Sequence, residues 1–365
     1  MASPRPGPNM SAIAAALGVS AATVSNALSG KGRVSPELIE KVRAKASELG
    51  YVPSLTARAL RTGRTGVLGL VLPDIANPLF PQIAQAIENA AANAGYGVLI
   101  ADSRGDIAAQ TEAIGRLLER GVDGMVIVPR RGTRIADVGC PVAVIDTPST
   151  PGNTVSADHW DGGSQMGRHL AELGHRKVLL IGTSASSNVQ NDRIGGLKAG
   201  LGAQVECDTM WIEKVEAVSG EGCPLGLADK ARAGFTAFAA VSDLSALRAL
   251  TELQRAGIGV PETVSVTGFD DLIWSAVVTP ALTTVRMDMA TIADLAIAAL
   301  IRAIEPEGET ENGAEEVSTG NVTSETDRVP MQLIVRQSTA APQTGRTPNL
   351  HAPTPNKPTA GEITS

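Results

Sequence analysis

Ser20, Thr23, Ser25 and Asn26 lie close together in the run GVSAATVSNALSGKGRVS, residues 18–35. All four are short side chains that donate or accept hydrogen bonds. Ser20 is a good N-cap for a helix over about Ala21–Leu28, and Gly18 permits a tight turn ahead of it. Val24 and Leu28, four residues apart, give that helix an apolar stripe. A helix carrying small and hydrogen-bonding side chains can approach base edges closely in a major groove. The run therefore predicts the turn and second helix of a helix-turn-helix.

Catalytic and metal chemistry find less support. GGSQMG (162–167) does not have the spacing of a nucleophile elbow, and no phosphate-binding or dinucleotide glycine loop follows a predicted strand. His159, His169, His175 and His351 show no ligand spacing with acids or cysteines. Cys140, Cys207 and Cys223 are odd in number and far apart, which excludes a zinc motif and predicts a reducing compartment. The expectation is a cytoplasmic binding protein, not an enzyme, with no cofactor, no metal and no membrane partner. No N-terminal apolar run reads as a signal peptide.

The charge is unevenly spread. Residues 1–66 hold nine Lys and Arg against three Glu, a surplus of six, whereas the whole chain carries −7. A basic head on an acidic body suits phosphate contact by the head alone. At 365 residues the chain can hold two or three domains. With three Trp, two Tyr and four Phe, its core must rest on aliphatic side chains.

The elements that would position these residues are legible as patterns. Residues 1–8 are Pro-rich and expected to be disordered. Asn9 can cap a first helix with Ile13, Ala14 and Leu17 on one face, and Ser35-Pro36-Glu37 is a helix start. Residues 9–52 thus predict a three-helix headpiece, and 53–66 a short basic hinge helix that needs a partner to form. From Val67 apolar runs alternate with amphipathic helices. Strands at 67–73, 98–102, 124–129 and 142–146 form one series, and strands at 178–182, 237–242 and 264–269 a second. The fold class is α/β, with two doubly wound parallel sheets and a cleft between them. Residues 305–327 hold eight acids and read as a loop before a last strand at 331–335. The tail, 340–365, reads as disordered.

Several segments, in order, resemble the lac-repressor (LacI/GalR-type) family of bacterial transcriptional regulators. They are the run already quoted, ELGYVPSLTARALRTGRTGVLGLVLPDIANPLF, LAELGHRKVLLIG, VPETVSVTGFDD, TPALTTV and VRQST. The resemblance implies a ligand-responsive regulator, expected to be a repressor, binding a near-palindromic operator as a homodimer. It also implies a periplasmic-binding-protein-like core over 67–339, with one subdomain at about 67–173 and 288–329 and the other at about 174–287 and 330–339. A transport solute-binding protein shares that core, but it would need an export signal and no headpiece.

Site residues follow from the resemblance. For DNA they are Ser20, Ala21, Ala22, Thr23, Ser25, Asn26, Ser29 and Arg33, with Ala57, Arg58, Leu60 and Arg61 in the hinge. Ala21 and Ala22 replace larger polar residues and can only touch a thymine methyl, Asn26 can pair with adenine, and Leu60 matches a minor-groove wedge. For the effector, a sugar or other small metabolite, they are Phe80, Asp146, Trp160, Asp161, Arg193, Ser242 and Asp270. Phe80 matches a stacking aromatic or else opens a helix. Trp160 is a second platform or part of the cleft wall, and Asp161 is a ligand or a helix cap. Arg193 matches a clamping arginine and Asp270 a hydroxyl acceptor. Ser242 stands where the family has Asn, and Thr147 where sugar binders have Arg.

Overall fold

The computed structural model describes residues 9–29, 34–51, 63–133, 135, 138–150, 152–306 and 327–343. The expectations for 1–8, for hinge residues 53–62, for most of the acidic segment and for 344–365 lie outside the described residues. The chain divides into two units, Met1–Gly66 and Val67–Ser365.

In the first unit, Asn9 accepts from the Ala12 amide at 2.9 Å and caps α1 (Met10–Leu17). Gly18 ends α1 in the left-handed region, φ 65°, which a side chain would disfavour. Ser20 Oγ accepts from the Thr23 amide at 3.0 Å and opens α2 (Ala21–Ser29). The bend between α1 and α2 is 106°, within the roughly 90–120° of a helix-turn-helix. Ser35 caps α3 (Pro36–Glu48) with Pro36 in its first turn. Ile13, Ala14, Val24, Ala27, Val42 and Ala46 form the core that holds the three helices together.

The second unit contains two parallel sheets. The first runs β2 (Gly97–Asp102), β1 (Val67–Leu72), β3 (Gly124–Ile127), β4 (Val142–Val144). A bridge from Ile145 to Val155 extends it to β5 (Val155–Ala157), which pairs with β11 (Asp327–Val329). Leu68, Leu70 and Leu72 face one cluster and Val71 the opposite one, against Ala113, Ile114 and Leu117. Burial on both faces explains the unbroken apolar run, each such side chain contributing about 1.5–3 kcal/mol. The covering helices are α4 (Leu79–Asn93) and α11 (Met289–Ile304) on one side and α5 (Ile107–Glu119) on the other.

The second sheet runs β7 (Glu206–Trp211), β6 (Lys177–Gly182), β8 (Ala237–Ala240), β9 (Ser265–Thr267). A Thr267–Thr283 bridge leads to the antiparallel pair β10 (Thr284–Met287) and β12 (Met331–Ile334). Helices α6 (His159–Glu172) and α7 (Asn188–Leu201) cover one face. On the other lie α8 (Ile212–Ser219), α9 (Leu227–Arg232) and α10 (Asp243–Arg255). The chain crosses between lobes after β5, after β10 and after β11. The sequence put the first crossing near 173. Helix α6 packs against α7, however, so we propose that the boundary lies at Asp158. The strands β5, β7, β10 and β11 escaped the sequence reading because they are short or sparse in apolar residues.

The α6–α7 contact depends on small residues. A methyl group on Gly163 would sit 2.3 Å from the Arg193 carbonyl oxygen, and one on Gly196 would sit 2.0 Å from that of Trp160. Both obstacles are backbone, so neither can rotate away. Gly163→Ala is expected to destabilise the core by about 3 kcal/mol or more in urea unfolding. Gly115→Ala, in open space on α5, is expected to stabilise it by about 0.5–1 kcal/mol. Equal midpoints for the two variants would contradict this packing.

Candidate functional site

Loops at the C-terminal ends of the strands enclose a cavity of about 510 Å³, the place where open α/β sheets hold ligands. From the first lobe come Phe80, at the start of α4, and Asp146, after β4. From the second come Arg193 on α7, Ser242 after β8 and Asp270 after β9. Five of the seven expected effector residues therefore meet.

Trp160 and Asp161 do not line it. The Trp160 ring lies on Gly195 of α7, where a Cβ would come 2.3 Å from it. The Asp161 carboxylate accepts from Gln165 Nε2 at 2.6 Å and faces Arg168 at 3.7 Å. The cap of α6 is Asp158, which accepts from the Asp161 amide. Both residues lie in the first turn of α6, which starts at His159, on the side facing α7 or solvent.

Arg193 is the best-held polar group in the cavity wall. Its side chain is 3% exposed, and Nη1 lies 2.8 Å from Asp270 Oδ1. Nη1 also donates to the Val241 carbonyl at 2.8 Å, Nε donates to His159 Nδ1 at 3.4 Å, and the guanidinium lies 4.1 Å from the Phe269 ring centre. A buried guanidinium is tolerated only with such partners. Burial and the Arg193 charge hold His159 well below its usual range, so it is neutral, with Nδ1 as acceptor.

Asp270 is presented by a strained turn. Its φ is 105° and that of Asp271 is 52°, both in the region that disfavours side chains. The Asp270 amide donates to Val285 at 2.8 Å. The Asp271 carboxylate is fixed by Arg286 and Arg336 at 2.6 Å each. Asp270 Oδ1 faces Arg193 off the N–H direction and lacks a hydrogen bond, leaving it an acceptor for a hydroxyl. The neighbouring Asp243 is structural, accepting from Leu272 N, Ser275 Oγ and Thr284 Oγ1 at 2.6–2.7 Å. Ser242 spends its hydroxyl capping α10.

A polar chain spans the cleft. Thr150 donates to Asp146 Oδ2 and accepts from Asn188 Nδ2 of the opposite lobe at 3.3 Å. Burial pushes the Asp146 carboxyl up to about 6, against the Thr150 hydrogen bond. Burial raises Asp270 as well, outweighing the Arg193 charge. Asp74, Asn77, Arg130, Arg131, His159 and Asn188 also line the cavity. Sequence reading missed them, although Arg130 and Arg131 directly follow a predicted strand, as a cleft loop should.

On the headpiece, Ala21, Ala22 and Asn26 are exposed along α2. The Thr23 hydroxyl pairs with Ser20 Oγ at 2.8 Å inside the cap, and Ser25 is half-buried. Ser29 closes α2. Arg33, Ala57, Arg58, Leu60 and Arg61 lie outside the described residues.

Two outcomes follow for the core. Arg193→Met leaves Asp270 buried without a countercharge and is expected to cost about 3–5 kcal/mol, whereas Arg193→Met with Asp270→Leu recovers most of it. Chemical denaturation of the three proteins decides this, and a double variant as unstable as the single would contradict the pairing. Asp146 has a raised carboxyl, so the stability of its protonated form is present near pH 4 and lost as pH rises through about 6. The urea midpoint of Asp146→Asn should fall less steeply across that window than that of the parent chain. Parallel curves would place the raised group elsewhere.

The comparisons with known proteins agree with this architecture. Residues 9–54 match the family described as bacterial regulatory proteins, lacI family, and residues 168–339 a periplasmic binding protein-like domain. The HTH-type transcriptional regulator DegA of Bacillus subtilis is 31% identical over 286 residues, 75% of this chain and 84% of DegA. The ribose operon repressor of Haemophilus influenzae is 30% identical over 300 residues, 78% and 89% of the two chains. The lac repressor dimer bound to operator and an anti-inducer superposes with a TM-score of 0.71 at 23% identity, covering 92% of this chain and 100% of its own. The CelR–cellobiose complex gives 0.62 at 26%, covering 91% and 99%. No single described helix is long and apolar enough to cross a membrane. With a helix-turn-helix head, a two-lobed core and these relatives, the chain belongs to the lacI family of bacterial regulatory proteins and is a DNA-binding transcriptional regulator.

Proposed function

We propose that this protein is a cytoplasmic repressor, working as a homodimer on a near-palindromic operator and controlled by a small polyhydroxylated metabolite. The observation that carries the effector reading is the cavity wall. An aromatic side chain, Phe80, faces a volume bounded by Asp146 on one lobe and by the Arg193–Asp270 pair on the other. Such a wall offers an apolar face, acceptors and a donor to the hydroxyls of a ring. Two similar proteins, the ribose operon repressor and CelR in its cellobiose complex, point to the same ligand class.

Two apolar patches support the homodimer. On the first lobe, Leu99 and Ile100 of the edge strand β2 are exposed. On the second, Ile273, Trp274 and Val277 are exposed around a turn that Asp243 ties to α10, beside exposed Leu244. With one patch on each lobe, closing the cleft changes their relative position. An effector that favours one closure therefore biases the geometry of a dimer held by both, a coupling of about 1–3 kcal/mol in typical regulators. The lac repressor dimer bound to operator supplies the precedent for assembly on DNA.

On the headpiece, the exposed Ala21, Ala22 and Asn26 are the proposed base-reading positions, with Leu60 of the hinge as the wedge. The full chain should bind DNA with an affinity that falls steeply with salt, because phosphate neutralisation releases counterions. A flat salt response in fluorescence anisotropy would overturn the regulator reading. Asn26→Ala should lose about 1–3 kcal/mol of discrimination at one operator position, leaving random-DNA affinity and the salt slope as they were. Unchanged discrimination in a selection from random oligonucleotides would remove Asn26 from the readout.

A further inference from the structure

Three arginines line the cavity, Arg130, Arg131 and Arg193. Arg168, Arg193, Arg248, Arg286 and Arg336 all make ion pairs. Arg130 and Arg131 line the cavity, yet among the described residues neither guanidinium has an ion pair or hydrogen bond. The carboxylates that share the cavity with them are otherwise engaged. Asp106 caps α5 through the Ala109 amide at 2.8 Å, Asp74 accepts from Ala76 at 3.0 Å, and Asp146 holds Thr150. Asp270 forms its ion pair with Arg193, at 2.8 Å, and none with Arg130 or Arg131.

The turn that carries these arginines is built rather than loose. Gln110 of α5 is fully buried, and its amide is spent on this turn. Its Nε2 donates to the Val128 carbonyl at 3.0 Å, while Oε1 accepts from the Arg130 amide at 2.9 Å and from Thr133 Oγ1. A buried amide costs stability unless it is hydrogen-bonded, so these contacts hold the backbone of the turn in one shape. From the opposite lobe, Ser184, Ser186 and the N-terminus of α7, a 14-residue helix capped by Ser187, border the same cavity. Its amides add a partial positive charge there.

Closing the cleft over a neutral ligand would take two guanidiniums out of water with no countercharge, which costs free energy. An anionic group on the ligand removes that cost and forms charge-assisted hydrogen bonds. We infer that the effector carries an anionic group, a phosphate or a carboxylate, clamped by Arg130 and Arg131 against the N-terminal end of α7, with Gln110 positioning the turn. This rests on the cavity being the effector site.

Thermal melting of the full chain tests it, with inorganic phosphate titrated against chloride at matched ionic strength. A saturable rise in Tm with phosphate is expected, and Arg130→Gln with Arg131→Gln should weaken it at least tenfold. Both changes are at solvent-accessible positions outside the packed core. No rise beyond that of chloride, or an equal rise in the double variant, would overturn the inference. An aldose phosphate, the corresponding aldonate and the neutral aldose separate the sources, since the anionic form that exceeds the neutral sugar by tenfold or more identifies the group. A neutral aldose that shifts DNA affinity as strongly as its charged forms would overturn the anion clamp and leave the repressor reading standing. Phosphate binding lost in the arginine variant, with DNA affinity unmoved by any of these ligands, would support the clamp and contradict the effector reading.

Discussion

Much of the second lobe is arranged around one buried charge, the Arg193 guanidinium. A group of this kind cannot leave water alone. Its partners come from separate parts of the chain: His159 from α6, the Val241 carbonyl from the end of β8, Phe269 and Asp270 from the end of β9. Arg193 reaches them because α6 and α7 approach at glycine contact, which a larger side chain would prevent. Asp270 faces it because two arginines lock Asp271 and hold a backbone conformation that would otherwise relax. The second lobe thus offers a rigid, preorganised wall. Preorganisation of this kind lowers the ordering cost of binding.

The first lobe contributes differently. Phe80 opens α4, and Asp146 and the Arg130–Arg131 turn sit on loops, all at one end of a sheet buried on both faces. Between the lobes the chain crosses three times among the described residues, at short connections near Asp158, Asp288 and Pro330. A few backbone torsions there can change the closure while each sheet stays intact. The contact from Asn188 to Thr150 shows one arrangement in which the two sides touch through polar groups. A ligand with contacts on both lobes has a differential interaction with open and closed forms, which is what a switch requires.

How much of this was legible in the sequence depends on how local the signal was. The caps Asn9, Ser20 and Ser35 and the turn at Gly18 were readable because each acts within four residues. The doubly wound sheets were readable because burial on both faces leaves unbroken apolar runs such as 67–72. Arg193 and Asp270 came from resemblance, and nothing local distinguishes them from surface residues. Their burial is set by contacts between segments far apart in sequence. Trp160 was misplaced for a related reason, since its role is set by the packing of α6 on α7. The neutral state of His159 and the tying of residues 128–133 by Gln110 are likewise tertiary facts.

The proposed switch links closure of the cleft to affinity for DNA. A disulfide across the cleft tests this without knowledge of the effector, through Thr150→Cys with Asn188→Cys in the full chain, the two positions that touch in this structure. Affinity for DNA selected from random oligonucleotides would be measured in the oxidised and reduced forms, with the parent chain treated identically. Linkage predicts a difference of about fivefold or more between the two forms of the variant, with the reduced form matching the parent. Equal affinity in both forms, with the disulfide confirmed by mass spectrometry, would contradict it.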